Sequence, residues 1–140
     1  MSPELEGNLI EKYPKIFERC DSIECDDGWY DLLDTLCNRI QKFIDVDTVY
    51  EQVVAVQVKE KYAGLRFYYS GGYTITDGYI GFAEDMSFRI CERCGNRGSV
   101  RNAGWMKTLC DPCDKAFRKK ARDVSVDENE VPARSAPRNK

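Results

Sequence analysis

Four cysteines, Cys91 and Cys94 followed by Cys110 and Cys113, form a C-x2-C-x15-C-x2-C array. At that spacing two thiolate pairs can close on one tetrahedral metal ion. Four thiolates fill every position around a zinc ion and leave none for water or substrate, so the array predicts one structural Zn2+. An iron-sulfur cluster accepts the same four donors, and four buried thiols without metal are the plainer alternative. Cys91-Glu92-Arg93-Cys94-Gly95 has the form of a zinc knuckle, with Gly95 allowing the tight turn. Cys110-Asp111-Pro112-Cys113-Asp114 reads as a helix start, with Asp111 as N-cap, Pro112 at the first helical position and basic residues from Lys115 to Arg122. One pair on a knuckle and one at a helix N-terminus make a treble-clef-like module.

Two further groups could bind a ligand or partner. The zinc segment carries Arg93, Arg97, Arg101, Lys107, Lys115, Arg118, Lys119, Lys120 and Arg122. Trp105 among them is either a platform for a base or the core anchor of a small module. Such a basic set is also what a solvated helix face looks like. The other group is Lys59, Lys61, Arg66 and Tyr68, which alternation places on the strand face opposite a row of valines. That face is a cradle for an anion or nucleotide, or the wet side of a half-buried hairpin. Cys20, Cys25 and Cys37 lack a fourth partner and read as structural thiols.

The chain has 140 residues and no histidine, which removes every Ser-His-Asp or Cys-His nucleophile and every mixed His/Cys metal site. With no phosphate loop or open metal position, no active site is identified and the chain is expected not to be an enzyme. Net charge is −3, unevenly distributed: residues 1–52 hold 5 Lys/Arg against 13 Asp/Glu, and residues 91–122 hold 9 against 3. The acidic part either repels a nucleic acid or docks on the basic module. The lack of an N-terminal leader and seven cysteines, four of them at metal-ligand spacing, predict a reducing, cytoplasmic setting. No apolar run approaches the roughly 20 residues of a membrane span.

These residues must be positioned by a small scaffold. Leu5, Leu9, Ile10 and Tyr13 predict a short helix over residues 3–13, ending at Pro14. Trp29, Leu32, Leu33, Leu36, Ile40, Phe43 and Ile44 predict the strongest helix, with Asp27 as N-cap and Asp31 in its first turn. From Val53 to Tyr69 the period changes to two, with Val54, Val56 and Val58 on one face, then Leu65, Phe67 and Tyr69. Tyr62-Ala63-Gly64 supplies the turn of an antiparallel hairpin, with Gly64 where a positive φ is needed. A helix over about Thr76–Ile90 carries Tyr79, Ala83, Met86 and Ile90 on its inner stripe and delivers the chain to Cys91. The expected class is α+β, with amphipathic helices packed on a small antiparallel hairpin or sheet. The expected organisation is a core at 1–90, a four-cysteine zinc module at 91–122 packed on it as one unit, and a disordered tail at 123–140, where hydrophobic period is lost.

Gly28-Trp29-Tyr30, the run from Gln57 to Tyr69 and Cys91-Glu92-Arg93-Cys94-Gly95 through Gly104-Trp105 and Leu109-Cys110 together resemble a family of small zinc-finger proteins of tailed bacteriophages and prophages. The similarity covers about residues 5–118. Where relatives use a histidine as last ligand, this chain has Cys113, which leaves the site complete. The resemblance implies a phage accessory protein in the bacterial host cytoplasm. Its expected role is to bind a host macromolecule, protein ahead of nucleic acid, and so to modulate host defence or gene expression. A sponge for a nucleotide or other anionic signal and a DNA- or RNA-binding finger are the alternatives. The zinc segment is also locally similar to the finger of the DnaK-suppressor type of RNA polymerase regulators, but a hairpin and a helix stand where those proteins have a coiled coil.

Overall fold

The computed structural model describes residues 1–127. Helix α1 (Pro3–Lys12) leads through a buried turn holding Ile16 and Phe17 to a two-residue strand β1 (Ile23–Glu24). A 3-10 turn (Asp27–Trp29) opens directly into α2 (Tyr30–Ile44), which is followed by the hairpin β2 (Val54–Lys61) and β3 (Gly64–Ser70), then α3 (Thr74–Ser87). A second, two-stranded sheet, β4 (Ser99–Asn102) and β5 (Met106–Leu109), precedes α4 (Asp111–Asp127). The fold is α+β: helices pack on a three-stranded sheet of order β1-β2-β3, in which β1 runs parallel to β2 and β3 antiparallel.

The periodic apolar residues of α2 explain why it is the central helix: Leu33, Leu36, Cys37, Ile40 and Ile44 form its buried stripe, continuous with fully buried Trp29. Asp27 does not cap it. The 3-10 turn intervenes, Trp29 takes the cap position without a side-chain bond, and the Asp27 carboxylate accepts the Ser2 N–H at 2.6 Å.

Strand alternation fails at one residue. A bulge between Ala55 and Gln57 leaves Val56 unpaired and 55 % exposed, while Val53, Ala55 and Val58 are buried. On the side away from β3, the Ala55 N–H next to the bulge bonds the Ile16 carbonyl at 2.7 Å. Beyond the bulge the pairing is regular, with Lys59 opposite Arg66 and Val58 opposite Phe67.

The hairpin turn also departs from expectation. Positive φ falls on Tyr62 (51°) and Ala63 (71°), and Gly64 lies in the strand. Both central residues of a two-residue turn that matches strand twist need positive φ, which Asn-Gly normally supplies. Here fixed contacts hold the conformation: Ala63 N–H donates to Glu60 Oε1 at 2.8 Å and its carbonyl accepts from Thr108 Oγ1 at 2.7 Å. Gly64 is required for a different reason, because a Cβ there would overlap the Phe88 ring.

Helix α3 begins two residues earlier and ends three earlier than its apolar pattern predicts, and its buried stripe is Thr76, Ile80, Ala83 and Ser87 rather than Tyr79, Ala83, Met86 and Ile90. Thr76 accepts the Tyr73 N–H at the helix start, while Ser87 and its neighbour Glu84 serve the edge of β3. Ser87 Oγ accepts the Leu65 N–H at 2.9 Å and Glu84 accepts the Phe67 N–H at 3.1 Å, so strand donors that would otherwise be open are satisfied. Helix α4 continues to Asp127, past the expected end at 122. Phe117, Ala121 and Val124 recur at helical spacing and Asp114 pairs with Arg118 one turn on, which carries the helix forward. Residues 128–140, the rest of the expected disordered tail, lie outside the described residues. Among the described residues no helix is long and apolar enough to cross a membrane.

Candidate metal centre

The first cysteine pair sits on a turn whose amides fold around Cys91. Gly95, at φ 80°, lets its N–H reach the Cys91 carbonyl at 2.9 Å, and Cys91 N–H bonds the Asn96 carbonyl at 2.7 Å. The second pair flanks the start of α4. The Cys110 carbonyl accepts the Asp114 N–H at 2.9 Å, so Cys110 rather than Asp111 holds the cap position. Asp111 is turned outward instead, accepting from Arg101 Nη2 at 2.6 Å.

The four sulfurs lie within 4.8 Å of one another, and Cys94 Sγ is 3.6 Å from Cys110 Sγ. A tetrahedron with metal–sulfur bonds of about 2.3 Å has edges of about 3.8 Å, so this cluster has the dimensions to chelate one ion. Among the described residues no other group of three or more Cys, Asp or Glu donors is close enough to share one. Burial pushes the Cys91 thiol up, but backbone bonds from Cys110, Cys94 and Arg93 outweigh it and bring the group down to about 7. Cys113 is pushed up to about 12, by burial first and then by the other three cysteines. Crowded thiols resist ionising together, and a dication among them reverses that, since a coordinating thiol is deprotonated outright.

Charged residues around the cluster fasten it to the core. Glu92, between the knuckle cysteines, is 1 % exposed; its carboxylate takes the Asp26 N–H at 3.1 Å and Lys107 Nζ at 3.2 Å. Lys107 also reaches Glu60 at 3.5 Å, and so bridges the module to the hairpin turn. Arg101 donates from Nε to the Leu109 carbonyl at 3.1 Å and lies 3.9 Å from Asp114. Trp29 Nε1 donates to the Ile90 carbonyl at 2.9 Å.

The other candidates divide accordingly. Lys107 and Arg101 are engaged inside the protein. Trp105 is 66 % exposed and no core anchor; that place belongs to Trp29. Arg97 is exposed, its backbone bridged to Ile90. Lys59, Arg66 and Tyr68 share the outer face of the hairpin, with Lys59 Nζ 5.9 Å from the Tyr68 ring centre. Lys61 lies 5.6 Å over Tyr62. Tyr62, Lys61, Trp105, Asn102 and Met106 line one groove of about 530 Å³ where the β2–β3 and β4–β5 turns meet, so part of each candidate group shares a surface. Cys20, Cys25 and Cys37 are buried apart from the cluster, and burial pushes the Cys25 thiol up to about 12. Glu92, Thr108, Glu60 and Tyr62 escape a reading of the sequence. Glu92 alone carries a local signal, as a carboxylate enclosed by a cysteine pair. Comparison with protein-family models, with curated proteins and with solved structures finds no match to this chain.

Proposed function

We propose that the four thiolates hold one zinc ion whose task is architectural, and that the chain acts by binding a macromolecule without transforming it. The observation that carries this reading is the closed cage: four sulfur donors, none farther than 4.8 Å from another. A single tetrahedral ion suits those distances better than a four-iron cluster, whose thiolates each bind a different iron. When bound, zinc supplies a crosslink between the knuckle and α4, and Cys91, Cys94, Cys110 and Cys113 are the residues that hold it. Glu92 and Lys107, which in an open site would be candidates for acid or base work, are occupied with each other, and Arg101 is occupied with Asp111, in fastening the module. In the bacteriophage setting implied by the sequence resemblance, the macromolecule is a host one and its capture alters defence or gene expression.

Elemental analysis of the purified chain tests the first half, with about one zinc per chain and a colourless solution expected. A coloured, iron-containing protein, or a folded chain with no metal, would overturn it. Conversion of a captured macromolecule into a new product would overturn the second half.

A further inference from the structure

The outer face of the β2–β3 hairpin carries charge that the fold leaves uncompensated. Lys59 and Arg66 are directly paired across the strands, an arrangement of like charges that destabilises a sheet. Lys61 follows on the same face. None of the three makes an ion pair within 4.0 Å among the described residues. Glu24, in register with Lys59 on β1, is the carboxylate paired alongside them, and the row stays net positive. Tyr68 stands on this face and is 44 % exposed, and at the turn end of the hairpin Tyr62 (67 %) and Trp105 (66 %) are exposed beside Lys61 in a groove that Glu60 also lines. Tyr62 is kept there by the anchored positive-φ turn, and shares its groove with Trp105.

We propose that this face binds single-stranded nucleic acid, with Lys59, Lys61 and Arg66 along the phosphates and Tyr62, Trp105 and Tyr68 stacking on bases. Cations set in line along a strand with interleaved aromatic rings are the features that hold a flexible polyanion with flat bases. An acidic protein surface would use the cations and leave the rings without a matching partner. The inference rests on the binding role proposed above and names its partner.

Fluorescence anisotropy with the full zinc-loaded chain and a fluorescein-labelled 12-nucleotide oligo(dT) or oligo(U) tests it. Three phosphate contacts give a log-log salt slope of about −2, so affinity should fall about 15-fold from 50 to 200 mM salt. Lys59→Gln and Arg66→Gln should each flatten that slope by about 0.7. Trp105→Ala and Tyr62→Ala, both at exposed positions, should weaken binding roughly 5- to 150-fold while the melting temperature stays near that of the parent. Absence of binding at 50 mM salt, salt-independent binding, undiminished binding by the ring variants, or equal displacement by a 12-residue polyglutamate would each overturn the proposal. Those outcomes leave the zinc-clamped binding role standing; cleavage or modification of the oligonucleotide would instead sink that role.

Discussion

The two halves of the molecule are stabilised by different means. In the α+β half, Leu9, Ile16, Ile23, Trp29, Leu33, Ile40, Val53, Val58 and Leu65 are at most 2 % exposed and form one continuous core. From residue 91 to 125 the buried side chains are Cys91, Glu92, Thr108 and Leu109, two of them polar. Burial at about 25 cal/mol per Å² can stabilise the first region and contributes little to the second. The module is therefore held by a polar seam with the core, where Gly28 N–H meets the Glu92 carbonyl at 2.7 Å and Thr108 meets Ala63, and by whatever crosslink a metal bound at the four-cysteine cluster would add. Polar contacts fix position more sharply than apolar ones, which suits a seam that must hold a strained turn in place.

Removing a ligand should separate the halves most widely. Apparent zinc-binding energies in small fingers reach about 10–16 kcal/mol, so Cys113→Ser should abolish hydrogen-exchange protection in β4, β5 and α4 while β2, β3 and α2 keep most of theirs. Uniform loss across both halves would show that the core depends on the module. Trp29→Ala strikes the core and the seam together and should cost about 3–5 kcal/mol in urea unfolding. Glu92→Ala removes the buried partner of Lys107, leaves it only Glu60 and frees the Asp26 N–H, and should cost about 1–3 kcal/mol, read as increased exchange in the module before the core.

The hairpin turn sharpens the comparison on a smaller scale. Gly64→Ala forces a methyl group into Phe88 and should destabilise by about 1–3 kcal/mol. Ala63→Gly relieves a positive φ at the cost of a buried methyl, and should change stability by less than about 1 kcal/mol. The reverse ranking, measured by thermal unfolding, would mean that Gly64 supplies the turn's conformational freedom.

The smallest effect belongs to Asp34, in the core half. Burial raises its carboxyl, but bonds from Lys12 at 2.8 Å and Tyr13 at 2.6 Å outweigh it and hold the group below its ordinary 3.8. A carboxyl depressed in the fold adds stability above its ordinary range, and that contribution disappears as pH falls through the folded value. Asp34→Asn should thus reduce stability slightly at pH 6, by an amount that shrinks as pH falls below 3.8, with module protection unaffected at pH 6.

Much of this arrangement could be read from residue order. Seven apolar residues at helical spacing announce α2, alternation announces the hairpin, and the cysteine spacing announces the cluster. Three features escaped because they depend on distant partners. The bulge at Val56 sits beside a bond from Ala55 to Ile16, 39 residues away in the chain. The turn's positive φ sits on Tyr62 and Ala63 because Thr108 and Glu60 hold it, while Gly64 answers to Phe88. Ser87 on the inner stripe of α3, and Glu84 beside it, make sense only once β3 offers them its N–H groups. At the site, donor identity was legible and the neighbourhood was not: nothing local to Lys107 or Arg101 reveals that carboxylates engage them, or that Trp105 stands out beside Tyr62.

The closed sulfur cage is the claim on which the rest stands, and X-ray absorption at the zinc edge of the purified chain measures it directly. Four sulfur neighbours at about 2.3 Å and no lighter atom in the inner shell are expected. Three sulfurs with one oxygen or nitrogen would reveal an open position on the ion and contradict it.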